Sequence, residues 1–282
     1  MAGDDRPKPA STAGFRGEVL SARNPRLATL RRLSGRRSAR TDAGRFVIDG
    51  PRLVHEALDA GIVVDEVYVP ADQVDVAAVV DLERALRAAN VVVHLVAPDV
   101  FRSVASTEAP QPAIAVARPP VRDAAGLLAS ANALLVLVDV ADPGNAGTLV
   151  RVAEAAGIGV VVACGQGVEW WNPKVVRAAA GSLFRVPVLA LADVHGVLAS
   201  LHARGVTTLA TSIDAGADYT AIDYRMPIAL LLGSEAHGLP ADVVASATTA
   251  VRIPMLGAVE SLNVAMAGAV CAFEMARQRR GL

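Results

Sequence analysis

Four stretches of this chain hold residue types that bind ligands or carry charge rather than pack. The first runs Asp139-Val-Ala-Asp-Pro-Gly-Asn145-Ala-Gly147 and is followed at helical spacing by Arg151 and Glu154. The second, Gly233-Ser234-Glu235-Ala236-His237-Gly238, comes directly after the apolar run 228–232. The third is Ile253-Pro254-Met255 with Glu260-Ser261-Leu262-Asn263, which leads into the last helical pattern. The fourth lies near the start, where positions 16–52 carry ten arginines against three carboxylates, a net of +7 in a chain whose formal total is −1.

Taken singly, the first three also read as plain structure. Gly144 to Gly147 fits a strand-to-helix turn, and Ser261 fits a helix N-cap, a role Ser fills commonly. Arg151 is harder to explain that way. It projects from a helical stretch whose neighbours Leu149, Val150, Val152 and Ala153 are apolar, which points to an anchored charge. Dinucleotide and nucleoside-triphosphate binding lose support because the chain has neither G-x-G-x-x-G nor a Walker pattern. Gly157-Ile-Gly159 follows a helix and precedes a strand, the wrong context. The five histidines have no H-E-x-x-H spacing, and Cys164 and Cys271 have no C-x-x-C partner, so the expectation is no metal and buried, reduced thiols.

Arginine's planar fork matches phosphate, and clustered arginines suit nucleic-acid contact. The candidate RNA-binding residues are Arg23, Arg31, Arg32 and Arg36, together with Arg37, Arg40 and Arg52. Of the 27 basic residues only Lys8 and Lys174 are lysines, a bias that genome composition also produces.

These residues need a scaffold, and 282 residues suffice for about two domains. With 53% hydrophobic and 20% charged residues the composition is globular, and no apolar run approaches the roughly 20 residues of a membrane span. Residues 1–15 lack an apolar core and read as a disordered tail of a cytoplasmic protein. Residues 16–105 alternate short β-branched runs with helical patterns, a small α/β RNA-binding domain. Positions 106–128 include Pro110, Pro112, Pro119 and Pro120 and read as a linker, with Ala113–Ala117 fitting at most an edge strand. Residues 129–282 form the second domain. Six apolar strands, near 134–139, 159–163, 186–189, 206–211, 228–232 and 250–253, alternate with helices, so the fold class is α/β with a buried, mostly parallel sheet. Helices are expected over 146–156, 172–180 and 262–278. Small residues in the last one suit tight packing, including against a second subunit.

In this order, the three loops carry a resemblance. Asn145-Ala-Gly147-x3-Arg151-x3-Ala155-x-Gly157, Leu232-Gly233-Ser234-Glu235-x2-Gly238-Leu239, and Ile253-Pro254-Met255 with Glu260-Ser261-Leu262-Asn263-Val264-Ala265 resemble the motifs of the SpoU (TrmH-type) branch of the SPOUT RNA 2′-O-ribose methyltransferases. Ser234 departs from the Asn of many members. The N-terminal region is similar to the family's substrate-binding domain, ribosomal protein L30e-like, through Asn24-Pro25 and Phe46-Val-Ile-Asp49-Gly50-x-Arg52-Leu-Val-x-Glu56-Ala57, with Asp49 replacing the commoner Glu.

The resemblance implies a deep trefoil knot, S-adenosyl-L-methionine bound bent within it, and a homodimer; the residue patterns above add the expectation of no metal and no membrane partner. By matched positions, the cofactor would meet Ala210, Thr211, Gly233, Ser234, Gly238, Ile253, Met255 and Leu262. Asn145, Arg151, Glu235, Ser261 and Asn263 would line the methyl-transfer site. A ribose hydroxyl is a weak acid, so such a site must stabilise developing alkoxide and hold the oxygen at about 3–3.5 Å from the methyl. Arg151, a guanidinium that stays protonated at neutral pH, suits electrostatic stabilisation better than proton abstraction. Glu235 would order Arg151 or its loop, or act as the base. The large N-terminal domain resembles ribosomal-RNA members, including thiostrepton-resistance-like enzymes, and favours ribosomal over transfer RNA. A non-catalytic RNA-binding protein is the other alternative.

Overall fold

Asn24 starts the first helix as its residue types predict: its side chain accepts the Arg26 N–H at 3.0 Å, and Pro25 takes the first helical position. The computed structural model describes residues 17–280, so the expected tail at 1–15 lies outside the described residues. Helix α1 (Pro25–Gly35) breaks at Arg36 and resumes as α2 (Arg37–Ala43). A five-stranded sheet follows, built from β1 (Val19–Leu20), β2 (Phe46–Asp49), β3 (Val64–Pro70), β4 (Val92–Val96) and β5 (Ile114–Ala117) in the order β1-β4-β3-β5-β2. Strands β1, β4 and β3 run parallel, and β5 is antiparallel to both its neighbours.

Period-two alternation sends neighbouring residues of β2 and β5 to opposite faces. Val47, Ile114 and Val116 pack under Leu27, Leu30 and Leu33 of α1 and Phe101 of α5 (Pro98–Val104). Phe46, Ile48 and Ala115 face the other way, toward α3 (Pro51–Asp59) and α4 (Ala77–Ala88). This corrects the reading of 106–128 as a linker with an edge strand. Strand β5 is interior, paired on both sides, and the prolines sit outside it. The same stretch also supplies most of α6 (Ala124–Ser130).

The second sheet holds β6 (Ala133–Val138), β7 (Val160–Cys164), β8 (Val188–Leu191), β9 (Thr207–Thr211), β10 (Ala217–Asp218), β11 (Ile228–Leu232) and β12 (Thr249–Arg252). Its order is β10-β12-β9-β11-β6-β7-β8, and every pairing is parallel. As expected for a parallel sheet, both faces are covered. Helices α7 (Pro143–Ala156), α8 (Pro173–Ala178), α9 (Ser182–Arg185) and α12 (Val264–Arg279) lie on one face; α6, α10 (Val194–His202) and α11 (Ala241–Ser246) lie on the other. Gly147 lets α7 and α8 touch, since a Cβ there would stand 2.5 Å from the Ala178 Cβ and 2.9 Å from the Ala179 backbone nitrogen.

The two sheets are locked together through β2 and α8. The Phe46 ring centroid lies 4.5 Å from that of Trp171 and 6.4 Å from that of Phe184. Arg177 reaches Asp49 at 2.7 Å, and Arg185 reaches Glu56 at 2.6 Å while also pairing with Glu154. Arg40 is corrected here from RNA contact to internal tie. It is 5% exposed, its Nε and Nη2 donate to the two Glu169 carboxylate oxygens at 2.6 Å each, and its Nη1 donates to the Leu33 carbonyl at 2.6 Å. Removing one partner of such a buried pair strands the other charge, so Arg40→Ala should cost about 3–5 kcal/mol in urea denaturation. A loss below about 1 kcal/mol, the range of exposed pairs, would contradict the buried role.

Candidate active site

Ligands of open parallel sheets bind beyond the carboxyl ends of the strands, and the ends of β9, β11 and β12 converge here. Between them lies a cavity of about 490 Å³ walled by Thr211, Leu232, Val251 and the loops that follow. The volume falls within the usual range for small-molecule sites, roughly 300–1,000 Å³. Of the expected cofactor residues, Thr211, Gly233, Ser234, Gly238, Ile253, Met255 and Leu262 line it. Ala210 does not: it is fully buried and paired in the sheet with Leu231 and Ala250. The next residue, Thr211, points to the opposite face of the strand, lines the cavity and donates its hydroxyl to the Leu231 carbonyl at 2.9 Å.

The loop after β11 is folded on itself. Ser234 and Gly238 exchange backbone hydrogen bonds at 3.1 and 2.9 Å, and the Ser234 Oγ accepts the His237 N–H at 3.2 Å. Ser234 thus has a local job of holding the turn. Gly233 has to be glycine, because a Cβ would stand 2.1 Å from the Gly238 carbonyl carbon and 2.2 Å from the Leu239 nitrogen.

Three of the expected catalytic residues meet in a hydrogen-bonded chain. The Asn263 Nδ2 donates to the Asn145 Oδ1 at 3.0 Å, and the Asn145 Nδ2 donates to the Glu235 Oε1 at 2.6 Å. Asn263, not Ser261, caps α12, its Oδ1 accepting the N–H of Ala265 at 2.9 Å and of Met266 at 3.4 Å. Asn145 stands in the first turn of α7 rather than in the loop before it, because Asp142 caps that helix through the Asn145 N–H at 2.7 Å. Glu235 and Ser261 line the cavity directly, whereas Asn145 and Asn263 stand beside it, joined to it through Glu235.

Arg151 departs from expectation. It is exposed, makes no ion pair or hydrogen bond among the described residues, and does not line the cavity. Within one chain Glu235 therefore orders Asn145, not Arg151. Arg151 shares an exposed stripe of α7 with Gly144, Thr148 and Ala155. Along α12, Met266 and Phe273 are also exposed, at 62% and 46%.

Ser212, Ile213 and Asp214, directly after β9, also line the cavity although they carry none of the three motifs. The rule that points to the other loops, search directly after each strand, applies to this segment as well. Buried Cys271 also reaches the wall, and burial pushes its thiol up to about 12 and that of Cys164 to about 11. A thiol reagent at pH 8 should therefore label neither in the native protein and both after unfolding; rapid native labelling would contradict this packing. Among the described residues no cluster of His, Cys, Asp and Glu stands ready for a metal.

Arg23, Arg31, Arg32, Arg36 and Arg37 are all exposed on or beside α1 and α2. Arg52 is exposed as well, but on α3, across the first sheet from that group.

Comparison with known proteins gives this geometry a family. Residues 24–115 match an MRM3-like substrate binding domain, which ends inside β5, and residues 132–273 match the SpoU rRNA Methylase family. The chain is 32% identical over 258 residues to the 23S rRNA (guanosine(2553)-2′-O)-methyltransferase RlmP of Bacillus subtilis, covering 92% of this chain and 98% of that one. An rRNA methyltransferase from Sinorhizobium meliloti with bound AdoMet superimposes with a TM-score of 0.81 at 30% identity, covering 93% of this chain and 97% of that one. The SpoU methyltransferase AviRb from Streptomyces viridochromogenes, also in complex with AdoMet, gives 0.81 at 27% identity over 92% and 100% of the two chains. Matched across both sheets and through all three motif loops, this chain belongs to the SpoU rRNA methylase family.

Proposed function

We propose that this protein transfers the methyl group of S-adenosyl-L-methionine to a ribose 2′-oxygen of ribosomal RNA. The observation that carries this is the cavity at the strand ends, with Glu235 on its wall and Asn145 and Asn263 bonded in line behind it. The residues fit the cofactor. Asp214, Glu235 and Glu260 place carboxylates around the cavity, suited to a ligand carrying sulfonium and ammonium charge, and Leu232, Val251 and Val264 offer apolar surface to an adenine ring. When bound, S-adenosylmethionine supplies a methyl group activated by its positive sulfur.

This chain's residues do the rest. Asn145, held by Glu235 and Asn263, presents a fixed amide to a ribose entering beside the cavity, and Glu235 on the cavity wall accepts a hydrogen bond from the 2′-hydroxyl. Arg151 stabilises the charge developing on that oxygen, reaching the cavity of a second copy of the chain. Support for this homodimer comes from the unpartnered Arg151, from the small residues around it on α7, and from the exposed Met266 and Phe273 of α12, which packs on α7. A deep trefoil knot belongs to this reading. Strand β12 inserts between β10 and β9, and the chain then returns across the sheet to lay α12 on α7. The first unit, five-stranded with helices on both faces, acts as an L30e-like RNA-binding domain in a cytoplasmic enzyme.

Ribosomal RNA is favoured over transfer RNA because the relatives named for 23S rRNA match over nearly the whole chain, first unit included. Incubation with methyl-labelled S-adenosylmethionine should label large-subunit ribosomal RNA on a ribose 2′-oxygen, with a dimer in sedimentation. Label on transfer RNA alone would overturn the substrate, and no transfer to any RNA would overturn the activity.

A further inference from the structure

A second cavity, of about 530 Å³, opens where the two units meet. Arg31 and Ser34 of α1, Lys174 and Arg177 of α8, and Pro143 at the start of α7 line it. Its charge is not balanced internally. Arg177 is matched by Asp49 at 2.7 Å, and Arg40 at the wall is matched by Glu169 at 2.6 Å. Arg31 makes only a 3.3 Å hydrogen bond to the Ser103 hydroxyl, and the Lys174 ammonium has no partner among the described residues. The Ser34 Oγ is buried without a hydrogen-bond partner. Two uncompensated cations beside an unsatisfied hydroxyl form a donor set with no acceptor among the described residues, and an anion supplies one.

We propose that this cleft binds the phosphodiester backbone of the substrate RNA, with Lys174 and Arg31 as phosphate contacts and Ser34 as a further donor. The assignment rests on the functional reading above and adds where the strand runs. On α1 the lining residue Arg31 is followed by the exposed Arg32. On α7 the lining residue Pro143 stands two residues before Asn145. A polyanion extended from the cleft reaches both the basic segment and the site, whereas a lone phosphate reaches neither. The close α7–α8 contact at Gly147 holds the Lys174 helix in fixed relation to Asn145, so a backbone gripped in the cleft is presented to the site at a set distance.

The test compares binding of a labelled large-subunit ribosomal RNA fragment across a salt series. Lys174→Gln and Arg31→Gln remove exposed charges, so their thermal midpoints should match the unmodified protein. Arg84→Gln on α4, across the first sheet, is the control with the same charge change. Each cleft variant should weaken RNA binding about tenfold more than the control, the size of a lost charge-assisted contact. The double variant should flatten the slope of log K against log salt by about 1.4–1.8, two phosphate contacts. Calorimetry with S-adenosylmethionine should give the same affinity for all. Cleft variants matching Arg84→Gln in affinity and slope would overturn the cleft assignment alone. Failure of the unmodified protein to bind ribosomal RNA would instead overturn the functional reading beneath it.

Discussion

Arg151→Ala should lower turnover by roughly 10²–10³ while leaving S-adenosylmethionine affinity unchanged. That range is the usual cost of removing one preorganised donor aimed at charge that develops only in the transition state. Arg151 is exposed and has no partner among the described residues to strand and no core to disrupt, so its loss should leave stability intact. Arg151→Lys should recover only part of the rate, since a point-like ammonium does not reproduce a planar fork. The same exposure gives a complementation test. Mixing Arg151→Ala subunits with subunits carrying a ruined cofactor loop, such as Gly233→Trp, should restore activity in some heterodimers. Full activity of Arg151→Ala alone would contradict the role. Failed complementation between two folded mutants would contradict only the shared site.

Gly233→Val should abolish measurable cofactor binding, a loss of at least about 10–100-fold. Its Cβ would fall 2.1 Å from the Gly238 carbonyl carbon, and those neighbours are backbone, which cannot rotate away as a side chain does. Relieving such a clash typically costs about 1–3 kcal/mol, and here the strain falls on the loop that walls the cavity. Circular dichroism should show an intact fold. Unchanged calorimetric affinity would mean that the cofactor does not rest on this loop.

How legible all this was depended on whether the signal is local. The helix at Pro25 and the continuous apolar runs of the second sheet, such as 228–232, follow from caps and local composition within a few residues. Helix α7 begins at Pro143, three residues before the expected start, because Pro-Gly reads as a turn until Asp142 is seen capping the helix. Strand β5 looked like an edge because prolines crowd it on both sides, yet all of them fall outside its four residues. Arg40 is indistinguishable from Arg36 and Arg37 along the chain; its partner Glu169 lies 129 residues away. The Asn145–Glu235 and Asn263–Asn145 bonds span 90 and 118 residues, so motif order pointed to these residues while only the fold brings them into contact. The reading of Arg151 as anchored failed for a related reason. An arginine among apolar neighbours suggests an internal partner, but its stripe of α7 faces outward.

The most direct measurement maps ribose 2′-O-methylation in total RNA from cells with the gene, without it, and without it but carrying either an unmodified or an Arg151→Ala copy. The account predicts that at least one 2′-O-methyl nucleotide of large-subunit ribosomal RNA disappears with the gene. The mark should return with the unmodified copy and stay absent with the Arg151→Ala copy. Identical ribose-methylation maps in all RNA classes, whether or not the gene is present, would contradict it.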